Sequence, residues 1–175
     1  MPARRIINTP LCPMTAGATE RGVCLLEFGS PERVAREQSD LERLLGEPFH
    51  DADHPLLDRL ASELDAYFAG DLTRFSIPLD TPGTEWQRRV WDALIRIPFG
   101  ETTSYGRLAA DLGNPGGSRA VGLANGQNRV AIVVPCHRVI AADGTLHGYA
   151  GGLDRKRFLL DLEERSAGRA LFNAC

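Results

Sequence analysis

Residues 104–126 read SYGRLAADLGNPGGSRAVGLANG, a pattern of two short helices separated by a tight turn. Ser104 can cap the first helix, which Gly113-Asn114-Pro115 would end. Gly116-Gly117 would open the second helix, and Gly126 would close it. This order predicts a helix-turn-helix, a shape that also occurs in helical bundles with no role in DNA binding.

The sequence before this stretch predicts one more helix and a linker. Thr84 and Gln87 have the spacing of a capping box, so we expect a helix from there to Pro98. Residues 71–83 contain two prolines and no hydrophobic periodicity, which is typical of a connection between domains. We therefore predict two domains, covering residues 1–80 and 81–175.

The first predicted domain combines short strands with helices. Apolar-leaning runs at residues 4–8, 13–18 and 22–28 are separated by turn residues and predict a small antiparallel sheet. Charged and apolar residues over 31–46 favour a helix, and leucines at helical spacing between Pro55 and Gly70 indicate a clearer one. The fold class is thus an α/β N-terminal domain followed by a mainly α-helical C-terminal domain with a helix-turn-helix.

The chain continues with a buried β-type run at residues 130–134, which Pro135 ends abruptly. The next residues are Cys136 and His137, and a final helix follows with Asp154 at its predicted cap. A thiol becomes a good nucleophile when it is ionised, and an adjacent His is the usual base. The residues alone leave two interpretations open: a reactive cysteine, or a small core cysteine beside a hydrogen-bonded histidine.

Net charge separates the two halves of the chain. The whole chain carries −3, but residues 1–80 hold 8 basic against 14 acidic residues, and residues 81–175 hold 12 against 9. Residues 112–142 contain three arginines and no acidic residue. Such asymmetry indicates contact with a polyanion, although a solvated basic loop has the same composition.

Cysteine usage and the N-terminus predict a cytoplasmic protein. The four cysteines include no Cys-x-x-Cys pair, no apolar segment follows Arg4-Arg5, and no run is long enough to span a membrane. Two cysteines and two histidines could build a zinc site, but acidic residues between the histidines favour a solvated loop. We expect no metal at Cys12, Cys24, His50 and His54.

Several motifs in order resemble one known family. They are Arg96-Ile97-Pro98-Phe99-Gly100-Glu101-Thr102, Ser104-Tyr105-Gly106, Ser118-Arg119-Ala120-Val121-Gly122, Pro135-Cys136-His137-Arg138-Val139, Gly148-Tyr149-Ala150-Gly151-Gly152, and Lys156 with Glu163. Together they resemble the O6-alkylguanine-DNA alkyltransferases, also called methylated-DNA–protein-cysteine methyltransferases. The resemblance is strong over residues 82–164 and looser over 1–80. The chain departs from the pattern at Arg129 and His147.

The resemblance implies a catalytic set of five residues. Cys136 would accept the alkyl group from O6 of a flipped guanine, and His137 would deprotonate it through a water. Glu163 would orient His137, Asn128 would brace the active-site turn, and Tyr105 would donate towards guanine N3. Taken singly, each of these residues also has an ordinary structural explanation; for Glu163 it is a surface pair with Arg157 or Arg165.

The resemblance also implies how DNA would be held. Arg119 would fill the gap left by the flipped nucleotide, while small residues let the second helix lie close to the minor groove. The predicted DNA-binding residues are Arg119, Tyr105, Gly106, Asn114, Gly117, Ser118, Ala120, Gly122 and Ala142. The predicted guanine pocket is lined by Val139, Tyr149 and Ala150.

The implied function is single-turnover repair of alkylated guanine in double-stranded DNA, and O4-alkylthymine is a further candidate substrate. It needs no cofactor, and we expect a monomer, with cooperative binding along DNA left open. Two alternatives remain at this level. One is a hydrolase with a Cys136–His137–Glu163 triad, and the other is a DNA-binding sensor in which the helix-turn-helix matters more than the thiol.

Overall fold

The structure, a computed structural model, describes the backbone of residues 1–173 and the side chains as far as residue 168. The chain divides into two units, residues 1–83 with 129–131 and residues 84–128 with 132 onward. Cys175 lies outside the described residues.

A four-stranded sheet forms the centre of the first unit. The strands are β1 (Ala3–Asn8), β2 (Pro13–Thr19), β3 (Gly22–Glu27) and β4 (His50–Asp51), in the order β3-β2-β1-β4. The first three pair antiparallel, as expected, and β4 pairs parallel to β1. The α/β fold class is confirmed, and the sheet is mixed because a helix carries the chain across to β4.

Two helices accompany this sheet, and each begins and ends where local chemistry favours it. In α1 (Pro31–Leu45), the side chain of Ser30 accepts a hydrogen bond from the Arg33 backbone N–H. In α2 (Pro55–Ala69), the His54 side chain accepts from Leu56 N, and Gly70 ends the helix at φ 81°. Glycine adopts that left-handed conformation without a Cβ clash. The α2 residues buried in the core are Leu57, Leu60, Leu64 and Tyr67.

Residues 130–134 do not form the predicted strand. Leu26 N donates to Arg129 O and Ala131 N donates to Leu26 O, both at 2.8 Å, so only this short piece pairs with β3. The next residue, Ile132, has φ +71° and is the one non-glycine residue with positive φ in the described backbone. A β-branched residue in that region ends strand geometry, so the chain turns where the apolar composition favoured a continuous β run.

The second unit is mainly helical. It contains α3 (Glu85–Ile95), α4 (Tyr105–Asp111), α5 (Ser118–Gly126), a 3₁₀ turn (Cys136–Arg138) and α6 (Leu153–Asn173). Two-residue strands β5 (Thr103–Ser104) and β6 (Val139–Ile140) pair parallel. The predicted capping box forms in full at the start of α3. Asp154 lies in the first turn of α6 and is not its cap, because the helix already begins at Leu153.

Helices α4 and α5 form the predicted helix-turn-helix, and α3 supports it. The indole N–H groups of Trp86 and Trp91 donate to the carbonyls of Ala120 and Ala124 on α5, at 3.2 and 2.9 Å. At Gly117 a Cβ would meet the Asn114 side chain and lie 3.0 Å from the Asn114 carbonyl oxygen, so glycine suits the close approach of the chain in this turn.

Over the described chain, no helix is both long and apolar enough to cross a membrane.

Candidate functional site

The Cys136 thiol lies at the start of the 3₁₀ turn and is only 6% exposed. Asn128 Nδ2 donates to Cys136 Sγ at 3.1 Å and to the Val134 carbonyl at 2.9 Å. Asn125 Nδ2 donates more weakly to the Cys136 carbonyl, at 3.4 Å. The Asn128 amide therefore bridges the turn and the sulfur, which is the contact expected of a residue that braces this segment.

His137 and Glu163 form a buried hydrogen-bonded pair, with 2.7 Å between Nε2 and Oε1. Burial lowers the pKa of His137 although the bond to Glu163 opposes this, so the ring is neutral at physiological pH. Because an ionised carboxylate only accepts, the neutral ring donates from Nε2 and keeps its lone pair on Nδ1. Nδ1 has no hydrogen-bond partner among the described residues.

Glu163 is held as a carboxylate by four donor contacts. Besides His137, Arg138 donates from Nε and Nη2 at 2.8 and 2.9 Å, and Gly100 N donates at 3.2 Å. Burial raises the pKa of Glu163, but the hydrogen bonds and charges of His137 and Arg138 outweigh it and lower the pKa to about 2. The alternative of a surface pair with Arg157 or Arg165 is wrong, since Glu163 is 1% exposed and pairs with Arg138.

Tyr105 begins α4 and is half-buried. Burial and the charge of Cys136 raise the pKa of its hydroxyl, so the group stays protonated and able to donate at neutral pH. The hydroxyl lies 3.4 Å from the His147 carbonyl. A Cβ at Gly122 would lie 3.8 Å from the ring, which puts Tyr105 against helix α5.

Lys156 is a buried cation to which the sequence analysis assigned no role. Its ammonium group donates to the carbonyls of Val139 at 2.6 Å and His147 at 3.1 Å. The aromatic rings of Tyr105 and Tyr149 lie close to the same ammonium group. Burial lowers the pKa of Lys156 and the charge of Cys136 opposes that effect. The spacing Lys156, Leu159, Glu163 puts three buried residues on one face of α6, a pattern that could have revealed it.

The predicted DNA-binding residues are mostly exposed. Arg119 projects from the first turn of α5, where no acidic side chain stands. Gly106, Asn114, Ser118, Ala120 and Ala142 are also exposed, Gly122 is half-buried and Gly117 is buried. In the predicted guanine pocket, Val139 and Tyr149 are buried and Ala150 is exposed.

In the part of the chain that the structure describes, the other cysteines and histidines do not assemble into a site. Cys12, Cys24 and Cys136 form no disulfide with one another in the described chain, and burial raises the pKa of Cys24 to about 12. Within the described chain, no three His, Cys, Asp or Glu side chains lie close enough together to hold a metal ion. His54 instead caps α2.

The Cys136 thiol, the neutral His137 ring and the ionised Glu163 carboxylate place the chain among proteins with cysteine-based chemistry. They lie in the unit that also contains the helix-turn-helix, a shape that many DNA-binding proteins use. Comparison with known proteins makes this specific. Residues 4–81 match the model of the 6-O-methylguanine DNA methyltransferase ribonuclease-like domain, and residues 85–165 match the model of its DNA-binding domain. The chain belongs to the 6-O-methylguanine DNA methyltransferase family.

Individual relatives agree with this assignment. A methylated-DNA–protein-cysteine methyltransferase of Methanosarcina mazei is 44% identical over 161 residues, which cover 92% of this chain and 96% of the relative. Its Mycobacterium leprae counterpart is 64% identical over 103 residues, and that match spans 59% of this chain and 62% of the relative's length. Mycobacterium tuberculosis OGT, solved in complex with DNA, is 43% identical with a TM-score of 0.79, covering 94% of each chain.

Proposed function

We propose that this protein repairs DNA by transferring the alkyl group from O6-alkylguanine to Cys136, once per molecule. The observation that carries the proposal is the buried set of Cys136, His137 and Glu163, which the helix-turn-helix contacts through the bond from Asn125 of α5 to the Cys136 carbonyl. The family assignment and the DNA complex of the M. tuberculosis relative support it. We extend the proposal to O4-alkylthymine, because its alkyl carbon is bonded to oxygen in the same way.

The reaction begins with proton transfer from the thiol. His137 Nδ1 takes the Cys136 proton through a water, and the Nε2–H bond to Glu163 stabilises the imidazolium that forms. The thiolate attacks the alkyl carbon, a carbon–sulfur bond forms, and the bond from carbon to O6 breaks. Guanine leaves as an anion, which takes up one proton, so that thiol and alkylguanine become thioether and guanine.

Three further residues would support this step. Asn128 would hold the sulfur in position through its 3.1 Å contact. Tyr105 would donate towards guanine N3 and stabilise the developing anion, a role that its raised pKa favours. Arg119 would occupy the stack after the nucleotide has flipped out, which the exposed, acid-free start of α5 permits.

The remaining predicted contacts complete the proposal. Small exposed residues of α4 and α5 would approach the minor groove, and Val139, Tyr149 and Ala150 would line the guanine pocket. No cofactor enters the reaction, since the damaged base is the alkyl donor. The thioether cannot return to a thiolate, so turnover ends after one transfer. We propose a cytoplasmic location, which the lack of any Cys-x-x-Cys pair in the sequence favours, and a monomer.

The test is intact-mass measurement after mixing the protein with a duplex that contains O6-methylguanine. We expect one methyl group per molecule, and peptide mapping should find it on Cys136 and on no other cysteine. Cys136→Ser is the negative control, and Cys24→Ser is the matched control because its thiol is buried with a pKa of about 12. Several turnovers per molecule would favour the hydrolase, and binding without transfer would favour the DNA sensor.

Replacing His137, the proposed general base, separates the methyl-transfer step from binding to DNA. His137→Ala should slow methyl transfer by roughly 10²- to 10⁴-fold, the range that general-base assistance contributes. Affinity for the same duplex should stay close to the parental value, because His137 is buried and does not reach DNA. Transfer at the parental rate would show that another group accepts the proton.

A further inference from the structure

Arg138 makes a buried, two-bond contact with Glu163. Its Nε and Nη2 donate to the two different carboxylate oxygens, at 2.8 and 2.9 Å. Nη1 donates to the Ile97 carbonyl at 2.6 Å, and the guanidinium carbon lies 5.8 Å from the Phe99 ring centroid. The carboxylate, the carbonyl and the ring together hold the guanidinium in place.

The two hydrogen bonds from Arg138 Nε and Nη2 to Glu163, here called the fork, orient the carboxylate as well as the arginine. A bidentate guanidinium determines both the plane and the rotation of the carboxylate it binds. In that orientation Oε1 accepts from His137 Nε2, which settles where the ring carries its proton. The geometry therefore links Arg138 to His137 although the two side chains share no hydrogen bond in the described structure.

The charge of Arg138 acts in a second way. A lone buried carboxylate beside an imidazole favours a permanent imidazolium, and such a ring cannot accept a proton. The guanidinium compensates the carboxylate, so the ring can remain neutral despite its 2.7 Å bond to Glu163. Other groups near the ring are Lys156 and the Cys136 thiol. Helix α3, which packs on the same turn, buries the apolar or neutral side chains of Val90, Trp91, Ala93 and Leu94.

We propose that Arg138 is a positioning residue for the alkyl transfer: it clamps Glu163 so that His137 stays a neutral base with Nδ1 as the proton acceptor. This inference rests on the proposed function. It assigns Arg138 two separable contributions, the geometry of the fork and its positive charge. Arg138→Lys keeps the charge and loses the fork, while Arg138→Gln loses the charge.

The two variants should differ in how the transfer rate depends on pH. The positive charge of Arg138 lowers the pKa of His137, so its loss raises that pKa and protonates the base at higher pH. For Arg138→Gln the acid limb of the rate profile should therefore move up by about 1 pH unit. Arg138→Lys should keep the limb in place and lose about 10- to 100-fold in rate at every pH, the effect of one charge-assisted hydrogen bond.

The experiment follows the single-turnover rate of Cys136 methylation between about pH 5 and 9, with intact mass as the readout. Arg157→Lys, an exposed arginine of α6, is the matched control and should follow the parental profile. Circular dichroism and duplex affinity of each variant report on folding. If Arg138→Gln does not fold, Arg138→Lys provides the test. A slower transfer with an unshifted acid limb would support the inference, and transfer at the parental rate would overturn it.

A double variant tests whether Arg138 acts through Glu163. In a Glu163→Gln background, replacing Arg138 with Lys should slow transfer less than twofold further, since the clamp has lost its carboxylate. Equal losses in both backgrounds, or an unmoved acid limb in a folded Arg138→Gln, would overturn the inference. A parental protein that leaves no methyl on Cys136 would instead refute the proposed function, so the two failures are distinguishable.

Discussion

Asn128 offers the sharpest test of how the active-site turn is held, because the structure supplies a matched partner for comparison. Asn128 and Asn125 are both buried asparagines, 5% and 3% exposed, and both reach the cysteine segment. Asn128 donates to the sulfur and to the Val134 carbonyl, whereas Asn125 donates only to the Cys136 carbonyl, at 3.4 Å. Alanine at either position removes the same atoms.

The difference between the two variants measures the Asn128 hydrogen bonds. Asn128→Ala loses a good hydrogen bond to the Val134 carbonyl, worth about 1 kcal/mol, while that carbonyl still accepts from the Cys136 backbone N–H at 2.8 Å. We expect Asn128→Ala to lower the free energy of unfolding by about 1 kcal/mol more than Asn125→Ala does. The cavity left by the side chain is similar in both and largely cancels.

The effect on rate arises from the sulfur. A donor to an ionised group contributes about 1.5–3 kcal/mol, so loss of the Asn128 contact should slow methyl transfer by about 10- to 100-fold. Asn125→Ala should stay within a few-fold of the parental rate. Urea titration gives the stabilities and time-resolved intact mass gives the rates. An Asn128→Ala protein that is destabilised yet transfers at the parental rate would refute the sulfur contact and leave only a bracing role.

Three further predictions concern other parts of the site. Arg119→Ala should sharply slow repair of O6-methylguanine in duplex DNA and leave reaction with the free base unchanged; equal losses on both substrates would place its role in the fold. Lys156→Met should slow both reactions by about 10-fold or more, because the carbonyls of Val139 and His147 lose a charged donor; loss on the duplex alone would contradict this. The Glu163 pKa of about 2 lies below its ordinary value of 4.5, so this residue contributes stability that is complete above pH 4.5 and is lost as pH falls towards 2. In urea titrations at several pH values, Glu163→Gln should lack this component, and an unchanged pH dependence would contradict the assignment.

Much of the fold follows from local sequence. The helix start at Thr84, the caps at Ser104 and His54 and the left-handed stop at Gly70 depend on residues a few positions apart. Capping and turn chemistry act over that range, so a sequence pattern can predict them. The strands β1, β2 and β3 of the first unit were likewise predictable from short apolar runs separated by turn residues, whereas β4 was not.

The run at residues 130–134 shows where such patterns fail. Its composition favours a strand, but a strand continues only where a partner and an extended backbone are both present. Beyond Ala131 the backbone turns at Ile132, and the Val134 carbonyl is bound by the Asn128 side chain. A left-handed β-branched residue is unfavourable by itself and persists because its surroundings impose it.

The functional site likewise has residues that the sequence predicted and residues whose roles only the tertiary structure showed. The sequence alone identified Cys136 and His137 as neighbours and, through the family pattern, chose Glu163, Asn128 and Tyr105. It did not determine that Arg138, 25 residues from Glu163, would clamp that carboxylate, or that Lys156 would lie beneath the carbonyls of the loop. Residue types and their local spacing show which chemical groups are available. Which charged groups are buried together depends on how α6 packs against the 3₁₀ turn. That packing sets distance and desolvation together, and these two quantities determine which carboxylate stays ionised and which imidazole stays neutral.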